Sequence, residues 1–320
     1  PPAPPVPPDR RLLLTYYYYW YDATTGAHLT PEQILNNHLP ATPQPTWRSI
    51  DWHRRQLSDM AYAGINVALP VYWGFDFPPD AWSMDGLPVL GQAWQALHAE
   101  GAAPPQLGLF LDTTIIRGRD LTTANGMAYF YANLRAYFSQ IPREAWALVN
   151  GGPVVFLYMS NFAAAMNQAT LDYAYAHFQA DFGVRPYIVR EVSWDYPILG
   201  RDSQGAPIID SAHPIQTENN YLWGAAQHGY VERGGVAAVG PGYDDRNLPG
   251  RAGTVVDRAQ GRFYATNFVA ALRSGHPLLA IETWNEIHEA SGICETVEYG
   301  RGYIELTRAL APYFHAVPSR

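Results

Sequence analysis

Eight short apolar runs, most of them followed by a stretch with helical periodicity, constrain this chain more than any other feature. The runs are Leu12–Asp22, Ile65–Gly74, Gln106–Asp112, Gly152–Tyr158, Arg185–Glu191, Asn220–Trp223, Val236–Val239 and the stretch that begins at Leu278. They are rich in aliphatic and aromatic residues and are bounded by Gly, Pro or Asn, which reads as strand. Amphipathic patterns over 51–63 (stopped by Gly64), 89–100, 123–140, 162–182, 258–273 and Tyr303–Phe314 read as helices. Residues 23–50 and 197–216 read as long loops. Apolar strands alternating with helices imply a parallel sheet. Eight such units fit a (β/α)8 TIM barrel, which takes roughly 250 residues plus loop insertions. A doubly wound open sheet is the alternative, but it calls for a Gly-rich turn after its first strand. None follows Tyr19-Trp20-Tyr21. The expected architecture is one α/β domain over residues 11–320, a TIM barrel with long βα loops, behind a Pro-rich extension over 1–10.

Composition removes several functions. The net charge of −8 and the lack of a basic stripe argue against nucleic acid as a partner. The one cysteine, Cys294, excludes an intrachain disulfide framework. No apolar run approaches the roughly 20 residues of a membrane span. The Pro-rich lead-in Pro1–Pro8, without an initiator Met, reads as the start of a secreted, mature chain. No cofactor motif is present.

In a barrel the C-terminal ends of the strands converge on one face, so the last residues of each run are the candidate site. They are unusually acidic and aromatic. Strand one contributes Trp20, Tyr21 and Asp22, and strand two Tyr72, Trp73 and Asp76. Strand three ends on Asp112, and strand five runs into Glu191 and Trp194. Strand seven leads to Tyr243, Asp244, Asp245 and Arg246. Strand eight leads to Trp284, Asn285, Glu286, His288 and Glu289. A strand that breaks into carboxylates is costly unless the carboxylates have a task. Acids among flat aromatics suit sugar: Trp and Tyr stack on sugar rings, and glycosidic cleavage needs two carboxyls. We therefore expect Glu286 and Glu289 as the catalytic pair of a glycoside hydrolase. Tyr21, Tyr72, Trp73, Asp112, Glu191, Trp194, Tyr243, Asp244, Arg246, Trp284, Asn285 and His288 are expected around the substrate. Plainer readings stand beside these. Two Glu suit a helix start, Asp244-Asp245 suits a turn, Asp112 suits a cap, and Glu191 suits an ion pair with Arg190. A glycan-binding barrel without catalysis would show the same composition. A metal-dependent hydrolase would use His288, Glu286, Glu289 and Asp244 as ligands, but no HExxH or EF-hand spacing supports it.

Trp284-Asn285-Glu286-Ile287-His288-Glu289-Ala290-Ser291 resembles the Phe-Asn-Glu-Trp-His-Glu-Gly segment of glycoside hydrolase family 99. Ala63–Val67 with Tyr72-Trp73-Gly74 looks like that family's second unit. Val239–Arg246 looks like its Gly-Tyr-Asp-x-Arg loop, and the first strand like its opening strand. The resemblance implies a TIM-barrel, retaining, endo-acting α-mannan hydrolase working through a 1,2-anhydro sugar. Glu286 would then be the base on the sugar 2-hydroxyl, Glu289 the acid and later base, and Tyr243 part of the reacting sugar's subsite. Ile287 stands where the family has Trp and Ala290 where it has Gly, so the sugar itself does not carry over.

Overall fold

The structure, a computed structural model, describes residues 8–35, 38–40, 44–76 and 81–316. Most of the expected N-terminal extension, residues 1–7, lies outside them.

All eight expected strands are present and parallel. They are β1 (Leu12–Tyr17), β2 (Val67–Tyr72), β3 (Leu109–Leu111, led in by Gln106–Leu107), β4 (Gly152–Leu157), β5 (Tyr187–Glu191), β6 (Asn219–Tyr221), β7 (Val236–Val239) and β8 (Leu278–Ile281). They pair in the order β6-β5-β4-β3-β2-β1-β8-β7. β1 is the seam of the register, with Leu14 opposite both Val67 and Ala280. No ladder joins β6 to β7 among the described residues, so the barrel is nearly closed. At that joint the Asn219 side chain takes the Gly235 N–H at 2.8 Å. Nearly every strand residue is buried, as in sheets covered on both faces.

The helices are α1 (Ile50–Tyr62), α2 (Trp82–Ala99), α3 (Ala124–Gln140), α4 (Gln168–Phe182), α5 (Ala225–His228), α6 (Arg262–Ser274) and α7 (Gly302–Ala316). Local chemistry sets several starts. Ser49 caps α1, Thr123 caps α3, and Asn167 with Thr170 forms a capping box on α4. Gly64 ends the α1 turn at φ +85°, and a Cβ there would lie 2.7 Å from Ala311 of α7.

Five expectations need correction. β1 stops at Tyr17 rather than Asp22, because Tyr18 leaves the ladder and pairs with a side chain described below. α2 starts at Trp82, not 89; Pro88 and Gly86 look like breakers, but the helix runs through them on the burial of Trp82, Leu87, Leu90 and Trp94. α4 and α6 start later than 162 and 258, each after a separate short 3-10 turn. The 197–216 loop holds a two-stranded hairpin, Ile198–Arg201 with Pro207–Ile209, where a fifth barrel helix would stand.

Candidate active site

The segment after β8 is fixed from several sides. The Glu282 N–H bonds to Val239 O of β7 at 2.8 Å, and the Trp284 N–H to Tyr16 O of β1 at 2.9 Å. Asn285 closes a two-point clamp on β1's continuation. Its Oδ1 accepts the Tyr18 N–H at 2.8 Å and its Nδ2 donates to Tyr18 O at 2.7 Å. The Trp284 indole donates to Gln56 Oε1 of α1 at 2.7 Å. The segment then folds on itself, with Thr283 N–H on Ser291 O at 3.0 Å and Ser291 N–H on Glu286 O at 3.1 Å. Glu286 and Glu289 therefore stand on a rigid turn.

Glu286 is 4% exposed. Its Oε1 accepts the Tyr21 hydroxyl at 3.1 Å and the His288 N–H at 3.1 Å. Burial first, then repulsion from Glu289, pushes its carboxyl well above the usual carboxylate range, against these hydrogen bonds. Glu289 is also raised by burial, but Arg251 and the Tyr243 phenol hold it back. Arg251 Nη2 lies 3.4 Å from Glu289 Oε1. The His288 Nε2 lies 2.7 Å from the His28 carbonyl, which can only accept, so that nitrogen carries the hydrogen. Burial pushes the imidazole down to about 4, so it is neutral near pH 7, with Nδ1 bare toward Glu286 Oε1 at 3.5 Å. Glu282, pushed up to about 8 by burial, lies outside the cavity and accepts the Gly224 N–H at 3.0 Å.

Glu286, Glu289 and His288 line a cavity of about 390 Å³. Its walls are Trp20, Trp73, Trp82 and Trp223, with Tyr18 and Tyr158. Asp112, Thr114, Arg117 and Phe162 form the side under β3 and β4; Leu248, Pro249 and Arg251 form the side after β7. Asp112 is raised by burial although Thr114 bonds it twice, through N–H at 2.9 Å and through its hydroxyl.

Of the residues expected at the site, the cavity gathers Glu286, Glu289, His288, Trp73 and Asp112. Tyr21 and Tyr243 stand behind them, Tyr21 on Glu286 and Tyr243 beside Glu289. Tyr243, Asp244 and Arg246 line a separate hollow of about 300 Å³, where Arg246 and Asp244 pair at 2.6 Å. The remaining five are structural. The Tyr72 hydroxyl meets Met84 sulfur, Glu191 caps the turn at Ser193, Trp194 donates to Tyr158 O, and Trp284 and Asn285 make the bonds above. At a strand end successive side chains alternate in direction, which separates Tyr72 from Trp73.

Trp20, named among the strand-one end residues, also lines the cavity, whereas sequence reasoning passed over His28, Trp82, Trp223 and Arg251. Trp223 had a signal: Trp223-Gly224 repeats the Trp73-Gly74 pattern, with both glycines at positive φ. Among the described residues no group of three His, Cys, Asp or Glu is placed to hold a metal, and no helix is long and apolar enough to cross a membrane.

Residues 16–316 match the family model described as Domain of unknown function (DUF5010). The glycoprotein endo-alpha-1,2-mannosidase-like protein of Mus musculus is 21% identical, over 90% of this chain and 68% of its own. The GH99 endo-alpha-mannosidase from Bacteroides thetaiotaomicron superposes with a TM-score of 0.64 at 16% identity, covering 94% of this chain and 97% of its own. A glycoside hydrolase-like protein superposes with a TM-score of 0.69 at 12% identity, covering 96% and 95%. The expected likeness to family 99 holds at the level of the fold.

Proposed function

The chain belongs to the family described as Domain of unknown function (DUF5010) and has a family 99-like barrel, and from that premise we propose that it is a glycoside hydrolase with Glu286 and Glu289 as its catalytic carboxyl pair. The observation that carries this reading is the presence of both carboxyls in one cavity walled by four tryptophans. Indole faces bind the apolar face of a pyranose, and two carboxyls provide acid and base. The names of the mouse and Bacteroides proteins support a glycan substrate.

In the step we propose, Glu289 donates a proton to the leaving glycosidic oxygen while Glu286 removes the proton of the sugar 2-hydroxyl. O2 then attacks C1, the aglycone departs as an alcohol, and a 1,2-anhydro sugar remains. Glu289, now a carboxylate, takes a proton from water, which opens the ring at C1. Glu286 returns its proton to O2. Tyr21 and the His288 N–H favour the ionised form of Glu286 that this role needs. His288, tied to the His28 carbonyl, orients the turn between the two acids. Trp20 and Trp73, edge to face at 5.4 Å, form a rigid corner for the sugar.

The test is turnover on a panel of α- and β-linked glycans, with product stereochemistry, for wild type and Glu289→Gln. Loss of a general acid should slow cleavage by roughly 10²–10⁴-fold for substrates with poor leaving groups. An unchanged rate refutes the assignment.

A further inference from the structure

The two carboxyls of the pair stand in different surroundings. Glu286 is almost sealed, and its carboxyl meets only neutral groups besides Glu289: the Tyr21 hydroxyl, the N–H groups of His288 and Glu289, and the neutral His288 ring. The Glu289 side chain is 20% exposed and has a guanidinium, Arg251, at 3.4 Å. The titratable and charged groups around Glu289 are Glu286 on its own turn, Arg251, Tyr243 and Asp245 from the segment after β7, and Tyr18, Tyr158 and Glu282, which directly follow β1, β4 and β8. Arg251 is the one cation in that set.

Two carboxyls that repel each other in a shared pocket share one proton near neutrality. A cation beside one of them places the charge there and the proton on the other. In the resting site this puts the charge on Glu289 and the proton on Glu286. The chemistry proposed above requires the reverse: Glu286 ionised to act as base, Glu289 protonated to act as acid.

We propose that Arg251 is the positioning residue that holds this resting arrangement, and that its withdrawal from Glu289 on substrate entry sends the shared proton from Glu286 to Glu289. The O–H bond on Glu286 breaks and its electron pair stays behind as carboxylate. An O–H bond forms on Glu289, and no proton enters or leaves the protein. Arg251 is built to move. Its side chain is 55% exposed, its guanidinium bonds only Glu289 among the described residues, and Leu248 and Pro249 of the same segment form the cavity wall that a glycan meets. Glu286 and its turn, by contrast, are fixed to β1 and α1. The device works before the bond is broken, so its failure leaves the carboxyl-pair assignment intact.

Two readouts test it. The first rests on the proposed function. In the pH profile of kcat/KM, which reports the free enzyme, Arg251→Gln should move the bell to higher pH. Without the cation Glu289 stays protonated to higher pH, moving the basic limb up. The first proton to leave the pair also leaves later, because no cation favours its loss, so the acid limb moves up as well. Arg251→Lys should restore the wild-type limbs. A structural role alone would lower the rate without moving either limb, and unmoved limbs overturn the proposal. The second needs no turnover: titration of glutamate Cδ signals in ¹³C-labelled protein, assigned with Glu286→Gln and Glu289→Gln. The later-titrating carboxyl should be Glu286 in wild type and should shift toward Glu289 in Arg251→Gln. Identical titrations in the two proteins, or a wild-type proton already on Glu289, overturn it. Absence of glycan cleavage with the expected titrations would remove the hydrolase reading and leave the Arg251 effect standing.

Discussion

Replacing Asn285 by Ala should uncouple β1 from the catalytic turn, and its cost follows from the structure. The side chain is 1% exposed and makes two bonds of near-ideal length, to the N–H and the C=O of Tyr18. Both Tyr18 groups lie beyond the end of the β1 ladder, so the clamp is their replacement for a strand partner. Leaving a buried donor or acceptor unsatisfied costs about 1–3 kcal/mol each. A small void of about 10 Å³ beside Asn285 is of the size that holds one water. Water there would recover part of the loss, which places the expected destabilisation at about 3 kcal/mol. Asn247, half-buried with one bond to Ile34 O, is the control; Asn247→Ala should cost about 1 kcal/mol. Urea unfolding monitored by tryptophan fluorescence reads both. Because Glu286 follows Asn285 directly, kcat should fall in the Asn285 variant at temperatures where it remains folded. A destabilisation no larger than that of Asn247→Ala would refute the view that the clamp carries the β1–β8 junction.

Tyr21→Phe removes a donor to Glu286 and the acceptor of the Ile287 N–H. Its loss disfavours ionised Glu286, so the acid limb of the pH–rate profile should move to higher pH; a limb that stays put or moves down contradicts the role given to Glu286. Gly64→Ala forces an alanine to φ +85° with its Cβ 2.7 Å from Ala311. Denaturant unfolding should show a loss of about 1–3 kcal/mol, and a neutral result would mean that α1 and α7 do not pack this closely.

The parts of the fold that were legible in the sequence are those whose cause is local. β4, β7 and β8 are apolar along their length because both faces are covered, and that needs no knowledge of the partner. The errors came from distant causes. The run Tyr18–Asp22 has strand composition, yet it leaves the sheet because Asn285, far along the chain, satisfies Tyr18. The helix expected over 89–100 begins already at Trp82, and Gly86 is where it meets the Tyr19 ring, a Cβ there falling 2.9 Å from it. The same division runs through the site. Glu286, Glu289 and His288 were legible because carboxylates and imidazole at a strand end have few local explanations. Arg251 and His28 arrive on loops, from positions whose composition is that of any surface segment. Trp194 and Trp223 show the limit most clearly: both follow a strand, but Trp194 turns into the packing against Phe130 while Trp223 faces Phe110 and Tyr158 in the cavity.

The way the acids are held also bears on which parts of the site can be substituted. The turn from Glu282 to Gly292 is bonded to β7 through Val239, to β1 through Tyr16 and to its continuation through Tyr18, and to α1 through Gln56. The Asp244 N–H adds a bond to Glu289 O at 2.8 Å, and Arg258 donates to Ala290 O and Gly292 O. A substitution that moves this turn must break bonds to several elements at once, so Glu286 and Glu289 have little freedom to move relative to each other. The wall on the β3–β4 side carries no such load. Arg117 rests on the Phe162 ring at 4.6 Å, and Arg251, with Leu248 and Pro249, belongs to an exposed loop. Arg117 and Phe162 on the β3–β4 side can therefore be substituted without disturbing Glu286 and Glu289, whereas the segment after β7 is tied to Glu289 through Arg251 and the Asp244 N–H. Ile287 and Ala290 depart from the family 99 pattern within the rigid turn itself. Ile287 is buried and Ala290 takes φ +44°. Both departures belong to the packing of the turn.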